Sequence, residues 1–530
     1  MPAPFDENRN GRHPSREPIS RRLLLLIASI AFCLACSAPV STLNTVPSEM
    51  VEQTNASRPN IVFVLTDDQR SDAVGYAENP LLGIETPHID RLAAEGARFD
   101  NMFVTTSLCS PSRASFLSGL YAHAHGVTNN FTDYPADLAS FPRQLNEEGY
   151  ATAYIGKWHM GEGDDSRRPG FDYWITHKGQ GKYYDTTFNV DGERQVVHGY
   201  YSERVTDMAL EWLEEQTQTQ PFMLIVGHKA PHGPFVPEKK YSETYDGIPV
   251  PYPSSAFALE GKPHWIVERL ATWHGIYGPL YGFRENFPDE RPEAVSDFER
   301  FVRSYTATIN SVDDSVGRLY AALEASGQLD NTIFVFASDN GFLLGEHGMI
   351  DKRTMHEASI RVPLAVRYPA AIEAGTVIDE QVLSIDVAPS LLALAGARPL
   401  ENIHGASWAG LLDTENEEQD RRWRKSWHYA YDYEKQFPYT PNVRGVRTDR
   451  WKYVRYPHGD GGEDRHLAEL YDLQSDPGER TNLIASPSHR DRAKSLAREL
   501  EARLATTGAL PDPMPLDQGI QSELPEESIR

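Results

Sequence analysis

The sequence predicts an α/β protein built on a mostly parallel β-sheet between layers of helices, followed by a smaller α+β region. Continuous apolar runs occupy residues 61–65, 151–155, 222–226 and 333–337, as expected for strands that are buried on both faces. Amphipathic helical patterns lie between these runs, and strands that alternate with helices are typical of parallel sheets. The chain has 530 residues, more than the roughly 250–300 at which single cores stop growing, so we expect two or more domains.

The N-terminal segment has the pattern of an export signal. A pair of arginines precedes an apolar run at residues 23–35, which is shorter than the roughly 20 residues that a transmembrane helix needs. We therefore predict an export signal over residues 1–36 and a polar tether over residues 37–57. The protein is expected in the periplasm, on the outer membrane as a lipoprotein, or outside the cell.

The end of this signal leaves two questions open. Cys33-Leu34-Ala35-Cys36 resembles a bacterial lipobox, so lipid attachment at Cys36 and simple cleavage are both retained. Residues 20–24 resemble a twin-arginine signal. Contact with a membrane is expected only through a lipid on Cys36.

The composition excludes several classes of partner. The formal net charge is −25, which argues against nucleic-acid binding and against docking on anionic lipid. Taken alone it also argues against an anionic substrate, but a local cluster of cations outweighs net charge within a cleft. Cys109 is the one cysteine after the predicted signal, so no internal disulfide is expected in the mature chain.

The main domain is predicted to run from residue 58 to residue 415. Pro87 suits the first position of a helix, and apolar residues recur at helical spacing from Phe298 to Leu323. Residues 233–297 interrupt the alternation of strands and helices with a segment rich in proline and aromatic residues. We interpret this insertion as a wall of the substrate cleft.

A C-terminal α+β subdomain is predicted over residues 416–530, after a charged segment that suits a boundary. Residues 443–446 and 451–456 have strand patterns around a turn. Residues 493–504 carry leucines at helical spacing.

Two strand ends carry candidate metal ligands. Asp67 and Asp68 follow the first strand, and Asp339 and Asn340 follow the strand that ends at Ala337. Ligands bind at the carboxyl ends of strands in parallel sheets, and carboxylate and amide oxygens suit Ca²⁺ or Mg²⁺. Each pair taken singly is also consistent with a helix cap or a turn.

Cationic and nucleophilic residues form the rest of the candidate site. Cys109 lies at the predicted start of a helix, where free N–H groups attract an anion, and Arg113 follows one turn later. Lys157 and His159 come after another strand, and such residues can stabilise charge or donate a proton. Lys352 has no distinguishing context of its own.

These motifs resemble a known family. Cys-Ser-Pro-Ser-Arg at residues 109–113, followed by Leu-Ser-Gly at residues 117–119, resembles the signature of type I sulfatases. Gly-Lys-Trp-His-Met-Gly at residues 156–161 resembles the second signature, and the similarity extends from about residue 59 to residue 482. The resemblance implies an alkaline-phosphatase-like fold and a hydrolase of sulfate monoesters.

The resemblance also implies a modified residue and a metal ion. Cys109 would be oxidised to formylglycine by a separate maturation enzyme, and the hydrated aldehyde would attack the sulfur of the ester. The sulfated intermediate would then collapse by elimination and release sulfate. One Ca²⁺ per chain is implied, with an oxygen of residue 109 among its ligands. The implied metal ligands are Asp67, Asp68, Cys109, Asp339 and Asn340.

The family's remaining roles map onto five positions. Arg113 and Lys157 would stabilise the hydrate and the sulfate charge, and His159 would assist the elimination. Lys352 would contact both sulfate and the leaving-group oxygen. His232 precedes Gly-Pro and matches the family's leaving-group histidine better than His228 does.

The substrate class rests on a narrower resemblance. Residues 345–353 and 361–363 resemble the branch that acts on sulfated sugars, including N-acetylglucosamine-6-sulfatases and polysaccharide sulfatases. A sulfated carbohydrate is therefore the expected partner. The aromatic residues at 431–433 and 438–441 either stack on sugar rings or pack the two domains together.

Two alternatives remain open at the level of sequence. A phosphate or phosphonate monoester hydrolase of the same superfamily would use a similar set of residues. A non-catalytic surface lipoprotein that binds sulfated glycans would need none of the catalytic chemistry.

Overall fold

The structure is a computed structural model that describes residues 58–217, 219–269, 289–413 and 422–521. The predicted export signal, the tether and the lipid site at Cys36 lie outside the described residues, as do residues 270–288 of the predicted insertion. Within the described ranges no helix is long and apolar enough to cross a bilayer.

Strands and short strand segments alternate with helices along most of the chain. In chain order the strands are β1 (Asn60–Thr66), β2 (Ala97–Phe99), β3 (Met102–Phe103), β4 (Ala151–Gly156), β5 (Tyr173–Thr176), β6 (Tyr184–Val190), β7 (Glu193–Tyr200), β8 (Phe222–Gly227), β9 (Thr332–Ser338), β10 (Leu343–Leu344), β11 (Ile350–Asp351), β12 (Leu364–Arg367), β13 (Thr376–Ile378), β14 (Val382–Leu383), β15 (Ser426–Tyr431), β16 (Val443–Thr448), β17 (Trp451–Arg455) and β18 (Glu469–Asp472). The helices are α1 (Pro87–Ala94), α2 (Cys109–Ser118), α3 (Ala122–His125), α4 (Phe141–Glu147), α5 (Tyr201–Glu214), α6 (Pro292–Ala325), α7 (Glu357–Ile360), α8 (Val387–Leu394) and α9 (Arg490–Thr506).

One sheet of ten strands forms the body of the protein, in the order β13-β2-β12-β9-β1-β8-β4-β5-β6-β7. Strands β9, β1, β8, β4 and β5 are parallel neighbours, whereas β12, β6 and β7 run antiparallel to their neighbours. The predicted α/β class with a mostly parallel sheet is confirmed. The four predicted strands are β1, β4, β8 and β9, and they lie side by side at its centre.

Alternation along β1 explains why helices cover both faces of the sheet. Ile61 and Phe63 belong to a core that includes residues of α2, α4 and α8, whereas Val62 and Val64 belong to a core with residues of α1, α5 and α6. Successive side chains of a strand point to opposite faces, so a continuous apolar run needs an apolar layer on each side. The long predicted helix is α6, and Pro87 begins α1 as predicted.

The C-terminal region contains a separate antiparallel sheet in the order β15-β16-β17-β18. Helix α9 packs on it through Leu496, Leu500 and Leu504, which contact a core that includes Val446 and Leu470. The predicted strands and helix of this region are thereby confirmed. The division of the chain at residues 415 and 416 stays a prediction.

The aromatic residues that sequence left unassigned are packed inside the protein. Tyr431, Tyr433 and Tyr439 are buried, and the Tyr431 hydroxyl donates to Glu434 Oε2 at 2.9 Å. In the described part of the insertion, Trp265 is buried against Tyr456. Since these rings are covered by protein, they are not exposed for stacking on sugar rings.

A buried polar network joins β18 to the region around α7. Glu469 accepts hydrogen bonds from the hydroxyls of Tyr456 and Tyr471, and its Oε2 lies 3.4 Å from His356 Nε2. Lys262 Nζ donates to the Tyr471 hydroxyl at 2.6 Å. Burial opposes ionisation of Glu469, but His356, Lys262 and the Tyr456 hydrogen bond lower its pKa to about 2. Glu469 is therefore ionised in the folded protein at neutral pH.

Glu469→Gln should destabilise the protein by about 3 kcal/mol, because it removes the buried negative charge that two tyrosine hydroxyls and His356 contact and that lies near the buried ammonium of Lys262. Urea denaturation followed by tryptophan fluorescence measures this loss. Glu463→Gln is the matched control, since Glu463 is exposed six residues earlier in the same segment. Equal unfolding midpoints for the two variants would contradict this account of the network.

Candidate active site

The carboxyl ends of four neighbouring strands bring the predicted polar residues together. Asp67 and Asp68 follow β1, and Asp339 and Asn340 follow β9. Lys157 and His159 follow β4 and His232 follows β8, whereas Cys109 and Arg113 lie on α2 and Lys352 follows β11. Because β9, β1, β8 and β4 are parallel and adjacent, their ends converge at one edge of the sheet. All ten predicted site residues lie at or beside this edge. They are Asp67, Asp68, Cys109, Arg113, Lys157, His159, His232, Asp339, Asn340 and Lys352.

Three carboxylates form the centre of the site. Oxygens of Asp67, Asp68 and Asp339 lie within 4.8 Å of one another, and all three side chains are buried. Asn340 Nδ2 donates to Asp68 Oδ1 at 2.6 Å, and the backbone N–H of Asp68 donates to Asp339 Oδ1 at 3.2 Å. These contacts tie the end of β1 to the end of β9.

Cys109 is the first residue of α2 and contacts this centre through its sulfur. Its Sγ lies 3.3 Å from Asp67 Oδ1 and 3.1 Å from Lys352 Nζ. Burial, together with the Asp67 charge, raises the pKa of the thiol far above its usual range. The unmodified side chain is thus held as a neutral thiol and is a poor nucleophile in this form.

Three cations balance the three carboxylates. Arg113 Nε donates to Asp339 Oδ2 at 2.7 Å, Lys157 Nζ contacts Asp67 Oδ2, and Lys352 Nζ contacts Asp68 Oδ1. All three cationic side chains are buried. Arg113 Nη2 is also buried and has no hydrogen-bond partner among the described residues. It is therefore a donor available to an anion beside Cys109.

Two histidines flank the centre. His232 Nε2 lies 3.8 Å from Asp68 Oδ2, and its Nδ1 lies 2.7 Å from the carbonyl oxygen of Gly233. Burial holds the pKa of His232 well below its usual range. His159 Nε2 lies 2.9 Å from Glu162 Oε1. His228 instead contacts Ser315 Oγ at 3.1 Å, so the preference for His232 over His228 agrees with the geometry.

Burial disfavours the ionised form of all three carboxylates. Burial raises the pKa of Asp68 to about 6 against the attraction of Lys352, and burial with the Asp67 charge raises the pKa of Asp339 to about 7. Burial also disfavours the charged form of Asp67, but Lys157, His232 and Arg113 hold its pKa well below the usual range.

The oxygen atoms of this centre fit a divalent cation. Asp68 Oδ2 and Asn340 Oδ1 are buried and have no hydrogen-bond partner within the part of the chain that the structure describes. Buried polar atoms without partners are costly, and a hard cation would supply the missing interaction. Carboxylate and amide oxygens are the ligand types that Ca²⁺ prefers.

The backbone is held in unusual conformations at several of these residues. Asp68 has φ of 69° and His159 has φ of 53°, and Asp351 and Arg353 on either side of Lys352 have φ of 94° and 78°. Non-glycine residues adopt this left-handed region at a cost of about 1–3 kcal/mol each, and they do so most often at functional sites. These conformations occur in three loops, after β1, after β4 and around Lys352, that meet at the carboxylate centre.

Sequence reasoning did not identify the residues that support this centre. Gln180 Oε1 accepts from Lys157 Nζ, and the Tyr305 hydroxyl donates to the carbonyl of Asp68 at 2.7 Å. Glu162 holds His159, and Lys229 is buried near the site with its Nζ 3.4 Å from the carbonyl oxygen of Gly233. The Gly-Gln-Gly run at residues 179–181 was one signal that a tight, functional loop lies there.

Two family models match the chain. The model described as Sulfatase matches residues 59–397, and the model described as N-sulphoglucosamine sulphohydrolase, C-terminal, matches residues 345–506. The first covers all ten candidate residues. The second overlaps the C-terminal sheet and α9.

Several curated relatives are similar over most of their length. The chain is 33% identical over 512 residues to an N-acetylglucosamine-6-O-sulfatase of Bacteroides thetaiotaomicron, which covers 87% of this chain and 89% of the relative. It is 27% identical over 500 residues to an ulvan-active sulfatase of Formosa agariphila, covering 92% and 87%.

Solved structures share the fold. One describes a protein in complex with its substrate D-glucosamine-2-N,6-O-disulfate, with a TM-score of 0.77 and 33% identity over 86% of this chain and 99% of that one. Another, at 22% identity and a TM-score of 0.69 over 85% and 97%, is a phosphonate monoester hydrolase of Agrobacterium radiobacter. At that identity the second comparison concerns the fold alone.

Cys109 in the folded, unmodified protein should react with iodoacetamide at pH 8 at least about 100-fold more slowly than after unfolding, because burial suppresses the thiolate. The measurement uses a variant with Cys33 and Cys36 replaced by Ser, expressed without a maturation enzyme, so that Cys109 is its one thiol. The same variant in concentrated urea is the control. Equal rates in the two states would contradict the buried, protonated thiol.

Proposed function

The chain belongs to the sulfatase family, and we propose that it hydrolyses sulfate monoesters of sulfated carbohydrates by means of a modified Cys109 and Ca²⁺. The observation that carries this proposal is the arrangement around Cys109. Its sulfur lies between a carboxylate centre, which has unpartnered oxygens, and the ammonium group of Lys352. This arrangement suits an anionic ester and a divalent cation at one point.

Residue 109 is proposed as the source of the nucleophile. Oxidation of the thiol to formylglycine supplies an aldehyde whose hydrate carries the attacking hydroxyl. The side chain already lies within hydrogen-bond distance of Lys352 Nζ and Asp67 Oδ1. Both groups are in place to orient the hydroxyls, and of the two the Asp67 carboxylate is the one that can accept the proton that is given up there.

The metal is proposed to be one Ca²⁺ held by the oxygens of Asp67, Asp68, Asp339 and Asn340, together with residue 109. When bound, the ion neutralises the carboxylates and polarises the sulfate ester. Support comes from the hard-oxygen ligand set and from the two buried oxygens that lack partners. Lys157, Lys352 and Arg113 already bind one oxygen each of the three carboxylates, which keeps the ligands fixed.

The sulfate charge is proposed to be bound by the cations around Cys109. Arg113 offers its free Nη2, and Lys157 and Lys352 offer ammonium groups in a centre from which bulk water is excluded. His232 is proposed to protonate the leaving oxygen through Nε2 as the imidazolium, because its Nδ1–H is already donated to the Gly233 carbonyl. An anionic sulfate ester beside the ring favours that charged form. His159 is proposed to take a proton when sulfate is released.

The substrate class is proposed from the relatives. Two of them are named for N-acetylglucosamine-6-sulfate and ulvan, and a solved neighbour binds a disulfated glucosamine. A sulfated sugar is the chemistry that these share. Export, processing of the N-terminal segment and lipid attachment at Cys36 are proposed on the sequence patterns.

Phosphate or phosphonate ester hydrolysis is the alternative that the fold retains, since a phosphonate monoester hydrolase has the same fold. A phosphate monoester carries one more negative charge than a sulfate monoester at neutral pH. Comparison of kcat/KM for matched aryl sulfate and aryl phosphate esters separates the two.

The protein, coexpressed with a formylglycine-generating enzyme, should release sulfate from sulfated sugars, and 6-sulfated N-acetylglucosamine is the first compound to assay. Mass spectrometry of the peptide containing residue 109 should detect the aldehyde. Cys109→Ala and Asp67→Ala should abolish turnover because each removes a reacting or metal-binding group. Active protein with an unmodified cysteine would refute the mechanism, and glycan binding without sulfate release would favour a non-catalytic role.

Ca²⁺ should raise the Tm of protein stripped with EDTA, and the increase should be larger at pH 8 than at pH 5. The pKa values of Asp68 and Asp339 lie near 6 and 7, above those of free carboxyls, so the metal-free protein loses stability as pH rises through this range. At pH 8 Ca²⁺ neutralises the ionised carboxylates of Asp68 and Asp339, whereas at pH 5 it must first displace protons from them.

A free Ca²⁺ concentration of 100 times the Kd corresponds to about 2.7 kcal/mol of stabilisation. Differential scanning fluorimetry measures the shift, and Asp339→Asn is the variant in which it should decrease. A Ca²⁺ effect that is equal at both pH values would contradict the assignment of these carboxylates as ligands.

A further inference from the structure

Glu162 and His159 form a carboxylate–imidazole pair beside the reactive residue. The Nε2 of His159 lies 2.9 Å from Glu162 Oε1. The other ring nitrogen, Nδ1, is buried and has no hydrogen-bond partner among the residues described. One nitrogen is therefore committed to a carboxylate, and the other is free inside the protein.

The carboxylate decides which nitrogen carries the proton. An ionised carboxylate only accepts hydrogen bonds, so Nε2 must be the N–H of the ring. Burial and the Lys157 charge lower the pKa of His159 to about 4, and the hydrogen bond to His159 lowers the pKa of Glu162 despite its burial. At neutral pH the pair is a neutral imidazole and a carboxylate. Nδ1 then carries a lone pair.

The backbone holds residue 159 close to Cys109 in the fold. The carbonyl of His159 accepts a hydrogen bond from the Ser110 hydroxyl, and Ser110 is the neighbour of Cys109 at the start of α2. His159 also has the left-handed φ of 53°. Residue 159 is thereby fixed against the helix end that presents the reactive side chain.

The neighbouring loop leaves room for the Glu162 carboxylate. Gly179 has φ of 55°, and a Cβ at this position would lie 2.5 Å from Glu162 Oε2. A larger residue would push the carboxylate away from His159. The loop that also carries Gln180, the partner of Lys157, thus lies directly against the Glu162 carboxylate.

We propose that Glu162 is a positioning residue that holds His159 as the Nε2–H tautomer, so that Nδ1 is the proton acceptor in the sulfate-release step. The inference rests on the proposed function, in which His159 takes a proton when sulfate is released. In that step Nδ1 takes a proton from a hydroxyl group at residue 109, and Nε2 keeps its own. Glu162 remains a carboxylate and stabilises the imidazolium until it returns the proton to water.

The tautomer can be measured without any enzymatic activity. Two-bond ¹H–¹⁵N correlation spectra of protein labelled with ¹⁵N-histidine distinguish an N–H nitrogen from a bare one, and His159→Gln identifies the signal. At pH 7 the wild-type protein should contain His159 as Nε2–H. Glu162→Met, which removes the acceptor at similar volume, should yield a mixture of tautomers or the Nδ1–H form.

The control is Glu193→Met, at an exposed glutamate at the start of β7, which should leave the His159 signal unchanged. An Nδ1–H tautomer in the wild-type protein would overturn the inference. An unchanged tautomer in Glu162→Met would overturn it as well, because another group would then set the proton position.

Turnover supplies a second test. Glu162→Met should lower kcat about 10- to 100-fold with little change in KM, the usual range for the loss of an outer partner of a reacting histidine. Glu162→Gln, which keeps an acceptor oxygen but not the charge, should fall between Glu162→Met and wild type. Unchanged kcat in Glu162→Met would overturn the role in turnover. Absence of sulfate release from wild-type protein would instead refute the proposed function, while the tautomer spectra still decide whether Glu162 orients His159.

Discussion

The structure depends on the compensation of three buried carboxylates by three buried cations. Asp67, Asp68 and Asp339 lie within 4.8 Å of one another, at a depth where a single uncompensated charge would cost several kcal/mol. Arg113, Lys157 and Lys352 each bind one of these carboxylates. The compensation is incomplete, since buried oxygens of Asp68 and Asn340 lack partners within the described residues. The unpartnered oxygens can bind a cation, and the cationic side chains beside them can bind an anion.

The sheet makes this arrangement possible without long connecting loops. Four parallel strands lie side by side, and most of the polar residues lie a few positions beyond the end of one of them. Cys109 and Arg113 instead lie on α2, and Lys352 follows β11. The closely packed core thus fixes the backbone positions from which these side chains project. Around them lies a second set of contacts, from Gln180 to Lys157, from Glu162 to His159 and from Tyr305 to Asp68. These contacts give the reacting groups one orientation.

The site also reconciles an acidic protein with an anionic substrate. The net charge of −25 describes the solvated surface, whereas binding depends on the local field within a buried centre. There Arg113 Nη2 has no hydrogen-bond partner among the described residues, and the ammonium group of Lys352 lies 3.1 Å from the sulfur of Cys109. The acidic surface has little influence on what binds beside Cys109.

The sequence by itself determined the class of fold and the central strands, and the resemblance of its motifs to a known family added candidate residues, such as Lys352, that local patterns do not single out. Long apolar runs, helical periodicity and motifs at strand ends are local properties, and they are legible without knowledge of distant contacts. Sequence did not predict the antiparallel strands β12, β6 and β7. Strand β12 is short, and the hairpin of β6 and β7 is largely exposed and polar, so it lacks the continuous apolar run of a buried strand. Only the tertiary structure decided that Tyr431 and Tyr433 are covered by protein, that His232 and not His228 faces Asp68, and that Glu162 and Gln180 support His159 and Lys157. Those relations join residues whose spacing along the chain carries no chemical signal, and only folding brings them into contact.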